Sequence, residues 1–488
     1  MKKRLLTALL LLLCTSLLLT ACGEGEGPDG SDSDTLPAGA ASEEETKPQA
    51  PDLSEFDLNG KTFSILYRFG ADSYNVEDVA AENLTSEPVN DAVYTRNRMM
   101  EGNLGIRTSF TPDTDPAGKL RNLSMSGDDD FDAATDRMNT LFPMSSTGAF
   151  VNWRSVNAYD PDEVWWDSNA DESLSIGNVL FIAVGDCSMK ASSCARFIYY
   201  NKAICDKYNM PLPYQDVRNG TWTLDIFIGM MSQVAEDLNG DGKMNSYDRF
   251  GLLSETNTFF VSGCDVPFTE KDEDGIPVLA FMNERTPDVV DKVNLIMNDK
   301  AHTLSYQDAS SGRDISGYAH LFEFGRSLFA NGQFLFVQNG ASEAYMFVDM
   351  EDPYGVLPNP KYDAAQPGYH HLMDPFACAW VMPASVKDPE KSAALMSYWC
   401  YLSTDTLVEA FYETTIKFKR LNAPEDAEMM DIIRATIRYE ISTLDNNNIM
   451  NVLAGASSGS GLASSFKRSE KTITRQLENM AKKFEKFQ

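Results

Sequence analysis

Positive charge is what this chain has least of. Its 41 Lys and Arg face 72 Asp and Glu, and without the first 21 residues the balance becomes 38 against 72, a net −34. So acidic a body repels phosphate backbones and anionic membrane surfaces, which excludes a nucleic-acid role. Histidine is scarce too: only His302, His320, His370 and His371 are present. The adjacent His370 and His371 point to opposite faces of an extended chain, so the pair is expected at the surface rather than on a metal. Beyond the N-terminus no apolar run approaches the roughly 20 residues that cross a bilayer. No nucleophile elbow, HExxH motif or P-loop appears, and no short-period repeat. Downstream of residue 22 the cysteines are Cys187, Cys194, Cys205, Cys264, Cys378 and Cys400, in no zinc spacing. Spacing cannot choose among their pairings; if one bridge forms, Cys187 to Cys194 is the first expectation.

What is present begins at the N-terminus. Lys2, Lys3 and Arg4 precede an apolar stretch from Leu5 to Leu19, too short to span a membrane and followed at once by Gly23-Glu24-Gly25. This is an export signal. Its end, Leu19-Thr20-Ala21-Cys22, resembles the lipobox of bacterial lipoproteins, which implies cleavage before Cys22 and a lipid on its sulfur. Residues 23 to 55 are rich in Gly, Ser, Asp, Glu and Pro, cannot bury enough apolar area to offset ordering, and read as a tether.

With 43 % hydrophobic and 11 % aromatic residues, the remainder can bury large cores. Thr62-Phe63-Ser64-Ile65-Leu66-Tyr67 reads as a buried first strand, Asn90-Asp91 as the cap of a helix through Met99, and Ile106 to Phe110 as the next strand. Strand, helix, strand favours a parallel α/β sheet. Further strands are expected at Phe131–Thr135, Val179–Val184, Phe197–Tyr200 and Phe334–Val337. Helices are expected at Lys202–Tyr208, Thr223–Ala235, Pro287–Asn298, from Asp388-Pro389 onward, at Met429–Ile441 and at Ile473–Phe484.

Two constellations could carry chemistry. Asp237, Asn239, Asp241, Asn245 and Asp248 stand at positions 1, 3, 5, 9 and 12 of a loop with Gly242 at position 6 and the Lys243 carbonyl at position 7, the spacing that wraps a chain around Ca²⁺. Asp248 is shorter than the usual glutamate there, and a plain polar loop is the alternative. Such an ion would be structural. The second constellation is aromatic: Trp222 and Trp399 lie in helical patterns and read as packing, whereas Trp165-Trp166-Asp167 lies in a polar stretch and suits a cleft that stacks on sugar rings.

Taken in order, the lipobox, the acidic tether, Glu87-Pro88-Val89-Asn90-Asp91-Ala92-Val93-Tyr94, Trp165-Trp166-Asp167, Gly220-Thr221-Trp222-Thr223, Asp237 to Asp248 and Tyr354-Gly355-Val356-Leu357-Pro358-Asn359-Pro360-Lys361-Tyr362 resemble the family 1 extracellular solute-binding lipoproteins of carbohydrate ABC importers. The resemblance implies an α/β protein of the two-lobed, type II periplasmic-binding-protein-like fold, with a hinge and an interlobe cleft that closes on ligand. It also implies a monomer anchored to the outer face of the cell membrane by its lipid alone, which binds a sugar and docks on permease subunits.

On that plan residues 1–21 are the signal peptide, 22–56 the lipidated cysteine and tether, 57–186 with 354–405 the first lobe, and 187–353 with 406–488 the second. Matching residues one by one, the family's ligand positions fall on Tyr67, Arg68, Trp166, Asp186 and Asn339, and Trp165 joins them from the aromatic stretch beside Trp166. Asp136 and Arg137 end a predicted strand and so point into the crevice at strand carboxyl ends. Length and aromatic content favour an oligosaccharide, and the acidity favours a neutral or cationic one. A tethered glycoside hydrolase would instead need a carboxylate pair across the cleft, such as Glu163 with Asp167 or Asp186 with Asp136; an envelope scaffold would need no cleft.

Overall fold

Strand formation begins where the β-branched and aromatic run predicts it. In β1 (Thr62–Arg68) Phe63, Ile65 and Leu66 are wholly buried, each stabilising the fold by roughly 1.5–3 kcal/mol through apolar area removed from water. The computed structural model describes residues 48–70, 77–347, 349–412, 424–445 and 448–488. Cys22, the leader, nearly all of the tether, Tyr74 and the side chain of Tyr345 lie outside them. Leu53 is already buried and Phe56 packs on the core, so the ordered body starts before the expected boundary at residue 57.

In chain order, β1 is followed by α1 (Pro88–Leu104), β2 (Arg107–Asp113), α2 (Pro116–Ser126), β3 (Ala133–Arg137), α3 (Met138–Ser145) and α4 (Ser168–Leu174). The middle of the chain supplies β4 (Phe197–Asn201), β5 (Ala235–Glu236), β6 (Arg249–Ser254), the hairpin β7 (Thr269–Lys271) and β8 (Pro277–Leu279), β9 (Thr303–Ser305), β10 (Phe334–Asn339) and β11 (Tyr354–Leu357). The last part holds β12 (His371–Leu372), β13 (Cys378–Val381), α5 (Pro389–Ser403), α6 (Pro424–Ala435), β14 (Ile437–Arg438) and α7 (Leu462–Phe484), with short helices between.

Two sheets organise the body. The first has the order β13-β3-β1-β2, with β1 parallel to both β2 and β3 and β13 antiparallel to β3. The second runs β11-β4-β10-β6-β5, with β9 beside β6. There β10, β6 and β9 are parallel while β4 is antiparallel to both its neighbours. The chain passes from the first sheet to the second between Arg137 and Phe197 and returns between Leu357 and Cys378. The expected return at residue 354 therefore comes too early: Tyr354–Leu357 pairs with β4 and belongs to the second sheet.

Local details refine the other expectations. Glu87, not Asn90 or Asp91, caps α1, accepting from the Asn90 N–H at 2.8 Å with Pro88 at the first helical position. Asp91 instead accepts from the N–H groups of Thr85 and Ser86. Gly105, at φ 65°, ends α1 in the left-handed conformation that favours glycine. Val179–Val184 is buried but forms no strand; it makes isolated bridges alone, Val179 with Ile176 and Ala183 with Trp380. The expected helix Met429–Ile441 breaks after Ala435 into β14, which pairs with β12. Among the described residues no helix is long and apolar enough to cross a membrane.

Candidate functional site

The carboxyl ends of β1 and β3 carry Arg68, Asp136 and Arg137, and a single carboxylate orders them. Asp136 is fully buried: one oxygen accepts from Arg68 Nη1 at 2.9 Å and from the Arg137 N–H at 2.7 Å, the other from the Ala117 N–H in the first turn of α2 at 2.9 Å. Onto this edge folds the segment before β13, where the Ala377 and Pro375 carbonyls accept from the N–H groups of Met138 and Asn139. It places Phe376, 41 % exposed, under the Arg137 guanidinium at 5.4 Å. Tyr67 is buried, with Lys190 Nζ 5.8 Å from its ring; that ammonium donates to the Arg68 carbonyl at 3.1 Å and lies 3.8 Å from Asp78.

The second sheet offers the matching edge. Asn339 ends β10 opposite Phe197 at the start of β4, and Arg196, one residue earlier, is its neighbour. The buried Arg196 guanidinium donates to Asn339 Oδ1 at 2.8 Å, to Glu343 Oε2 at 3.3 Å and, through two nitrogens, to Asp374 Oδ2 at 3.1 and 2.5 Å. Asp374 belongs to the segment that caps β3, so this one cation joins the carboxyl edges of the two sheets. Arg326 pairs with the other side of Glu343, and Glu255, beyond the end of β6, lies 3.9 Å from Arg196. Asn339 Nδ2 is buried and has no hydrogen-bond partner among the described residues. An unmade buried hydrogen bond costs roughly 1–3 kcal/mol, so this donor favours any state that brings it an acceptor.

The structure therefore gathers Tyr67, Arg68, Asp136, Arg137 and Asn339 at one place. Chain position gave no sign of Arg196, Asp374, Phe376 or Lys190, which join them there; the one available cue was a charged residue immediately before the apolar strand Phe197–Tyr200. The arrangement combines an aromatic face with fixed planar donors and acceptors. It can grip a polyhydroxylated ligand, and its carboxylates are committed to cations and N–H groups.

Trp165, Trp166 and Asp186 lie elsewhere. Both indoles are buried, Trp165 edge-on to Tyr401, and Trp166 against Trp153 and Tyr159 with its Nε1 donating to Ser397 at 3.3 Å. Asp186 sits with Trp166, Asp167 and Arg434 around a separate pocket of about 210 Å³. Its carboxyl is 18 % exposed, accepts from Thr404 Oγ1 at 3.0 Å and lies 3.7 Å from Arg434. Protein encloses it on every side but the pocket, and this burial pushes it up to about 6 against the pull of Arg434 and Thr404. Asp167 caps α4 through Ala170 and accepts from Tyr439 at 2.7 Å.

The expected surface histidine pair is half correct in position only. His370 meets Asp265 at 3.1 Å near the surface, but His371 is fully buried in β12, where its Nε2 accepts from the Asn359 N–H and its Nδ1 faces Thr436. Burial pushes His371 down to about 3, so it is neutral. The Cys187–Cys194 bridge is not formed, and the six cysteines are thiols. Cys194 donates to the Lys190 carbonyl at 3.0 Å, while the Cys187 carbonyl is drawn to Arg96 at 2.8 Å, so the two turn to different neighbours.

In the Asp237–Asp248 loop, Gly240 and Gly242 take φ of 72° and 75° and supply the turns. The donor types suit Ca²⁺, but the side chains are turned on the loop itself. Asp237 accepts from the N–H groups of Gly240 and Gly242, Asn239 from Asp241, Asp241 from Lys243, Asn245 from Tyr247, and Asp248 from Leu238 and Asn245. Among the described residues no three His, Cys, Asp or Glu side chains gather as metal ligands.

No family model and no curated protein matches this sequence. Solved structures do. The ABC substrate-binding protein from Listeria monocytogenes in complex with cycloalternan superposes with a TM-score of 0.54 at 13 % identity, over 86 % of this chain and 100 % of that one. The fold is the two-lobed one of ABC substrate-binding proteins. The GacH receptor of Streptomyces glaucescens, solved unliganded and with acarbose, gives 0.53 at 13 % identity over 86 % and 99 %. RafE from Streptococcus pneumoniae, in its apo form, gives 0.53 at 11 % over 87 % and 100 %.

Proposed function

We propose that this chain captures a sugar, an oligosaccharide by preference, in the cleft between its two sheets and delivers it to the permease subunits of an ABC importer. The observation that carries the reading is the meeting of two strand-carboxyl edges around Arg196, with Phe376 exposed beside them and the Asn339 Nδ2 donor waiting for an acceptor. Ligands of open α/β sheets bind at such edges. The fold shared with proteins solved with cycloalternan and acarbose supports a sugar over other solutes. Arg68, Lys190, Arg196 and Arg326 each lie against an acid, which favours a neutral sugar over a uronate. Closure on ligand is then a population shift set by the difference in affinity of the two states.

The reading includes export and a lipid on Cys22, supported by the lipobox-like Leu19-Thr20-Ala21-Cys22. It takes the protein as a binder and not a glycoside hydrolase: of the two carboxylate pairs considered for hydrolysis, Asp136 and Asp186 are held in different constellations by different partners, and Glu163 and Asp167 line different pockets. Thermal denaturation with a panel of neutral oligosaccharides tests it. Binding stabilises the folded state by RT ln(1 + [L]/Kd), about 2.7 kcal/mol at a hundredfold excess over Kd. A raised melting temperature with intact sugar recovered is the expected result. A shift with peptides alone would remove the sugar, and product formation would make the protein an enzyme.

A further inference from the structure

The thiols of this chain are not scattered at random. Residues 185–187 run along one face of α5, held there by three contacts. A Cβ at Gly185 would stand 3.0 Å from Cys400 Sγ. Thr404 Oγ1 donates to Asp186 at 3.0 Å. Arg96 Nη1, from α1, bridges the Cys187 carbonyl at 2.8 Å and Ser403 Oγ at 3.2 Å. Residues 400, 403 and 404 are neighbours on a helix face, so Cys187 is brought against Cys400; burial, with Cys400 beside it, pushes the Cys187 thiol well up. Both are wholly buried.

We propose that Cys187 and Cys400 are the pair that oxidises to a disulfide when this chain folds in an oxidising medium. Cys194 is turned to the Lys190 carbonyl and Cys264 to the Pro360 carbonyl, so neither competes for Cys187. Because both sulfurs are closed off in the folded body, the reaction belongs to folding, before α5 packs over residue 187. The oxidant is a disulfide, that of an oxidoreductase or of a small thiol. The Cys187 thiolate attacks one of its sulfurs and releases the other as thiolate. The Cys400 thiolate then attacks the Cys187 sulfur and releases the second. The protein loses two electrons and two protons, and the oxidant becomes two thiols.

The bridge would fix the root of the passage between the sheets. Cys187 precedes Arg196 in that passage, and α5 backs the first sheet through Trp399, whose ring meets Phe63 at 5.7 Å. The cleft residues beyond Arg196 are untouched, so the bridge stabilises the fold without altering ligand contacts. The compartment in which this matters follows from the export reading, but the chemistry can be tested apart from it.

The purified chain, unfolded and reduced, is refolded in a glutathione redox buffer, denatured again, alkylated without reductant and mapped by peptide mass. The expected result is one linked peptide pair joining Cys187 to Cys400, with Cys194, Cys205, Cys264 and Cys378 alkylated. The oxidised form should melt roughly 4 to 8 °C above the reduced one. Alkylation of both Cys187 and Cys400, or linkage of Cys187 to Cys194 in their place, overturns the proposal. In Cys400→Ser, Cys187 should become alkylatable; its continued protection would also overturn it. The same map on protein taken from cells tests export separately: a pair that forms in glutathione but is reduced in cells counts against the export reading and leaves the pairing standing.

Discussion

Two acidic regions of this molecule use the same side chains to opposite ends. In the Asp237–Asp248 loop each of the five ligand-type side chains accepts from a backbone N–H no more than ten residues away, and most of the loop is exposed. Around Arg196 the partners come from across the chain: Asp374 is 178 residues away and Glu343 is 147, and all are buried. The loop is a local device, stable in itself and adding little to the whole. The knot is a global one, unfavourable in every part until all parts are present, because buried charges are tolerated only when paired.

The contrast is sharpest in what breaks each region. Arg196→Met should cost about 3–5 kcal/mol, since Asp374 and Glu343 are left buried with one cation fewer, and urea unfolding measures it. A loss below 1 kcal/mol would mean the knot is solvated and the contrast false.

Asp186 stands between the two regimes, part buried and part wet. Its carboxyl, held at about 6, is above the ordinary value near 4. The folded state therefore binds the proton more tightly than the unfolded one, so stability is full below pH 4 and falls as pH rises through 6. Asp186→Asn should remove that fall, leaving the variant more stable than the parent by up to about 2 kcal/mol at pH 8 and closer to it at pH 4. Equal differences at both pH values would show that Arg434 fully compensates the burial.

A smaller effect is expected from Phe376→Ala. Loss of its exposed face should weaken sugar binding about tenfold, or about 1.4 kcal/mol, in titration calorimetry while the melting temperature stays unchanged. Weakened stability with unchanged affinity would place Phe376 in the core and not in the site.

Least is expected of the loop. Asp237→Ala frees the Gly240 and Gly242 N–H groups to water and should cost about 1 kcal/mol or less. Calcium, if the loop takes it, should raise the melting temperature slightly and a chelator reverse this, because the loop is already closed by its own hydrogen bonds. Identical melting curves would remove the ion.

What could be read in the sequence divides along the same line. The strand Thr62–Arg68, the turn glycines and the calcium-like spacing are local patterns, and they are legible. Asp136 and Arg137 are reached because strand ends are local and ligands gather at them, whereas Arg68 comes from the family resemblance. Arg196 and Asp374 were missed because their meeting is a property of the fold and of no short segment. Val179–Val184 reads as a strand because a continuous apolar run looks the same in any buried extended segment, and sequence puts His371 outside because alternation says which way a side chain points but not what covers it.

The tryptophans carry a practical consequence. Trp153, Trp165, Trp166, Trp222, Trp380 and Trp399 are all between 0 and 5 % exposed, and none belongs to the edges that Arg196 joins. Their emission should be that of indole in apolar surroundings, shielded from dissolved quenchers. The protein's own fluorescence is thus a gauge of unfolding that a bound solute barely moves, and a silent optical titration says nothing against binding.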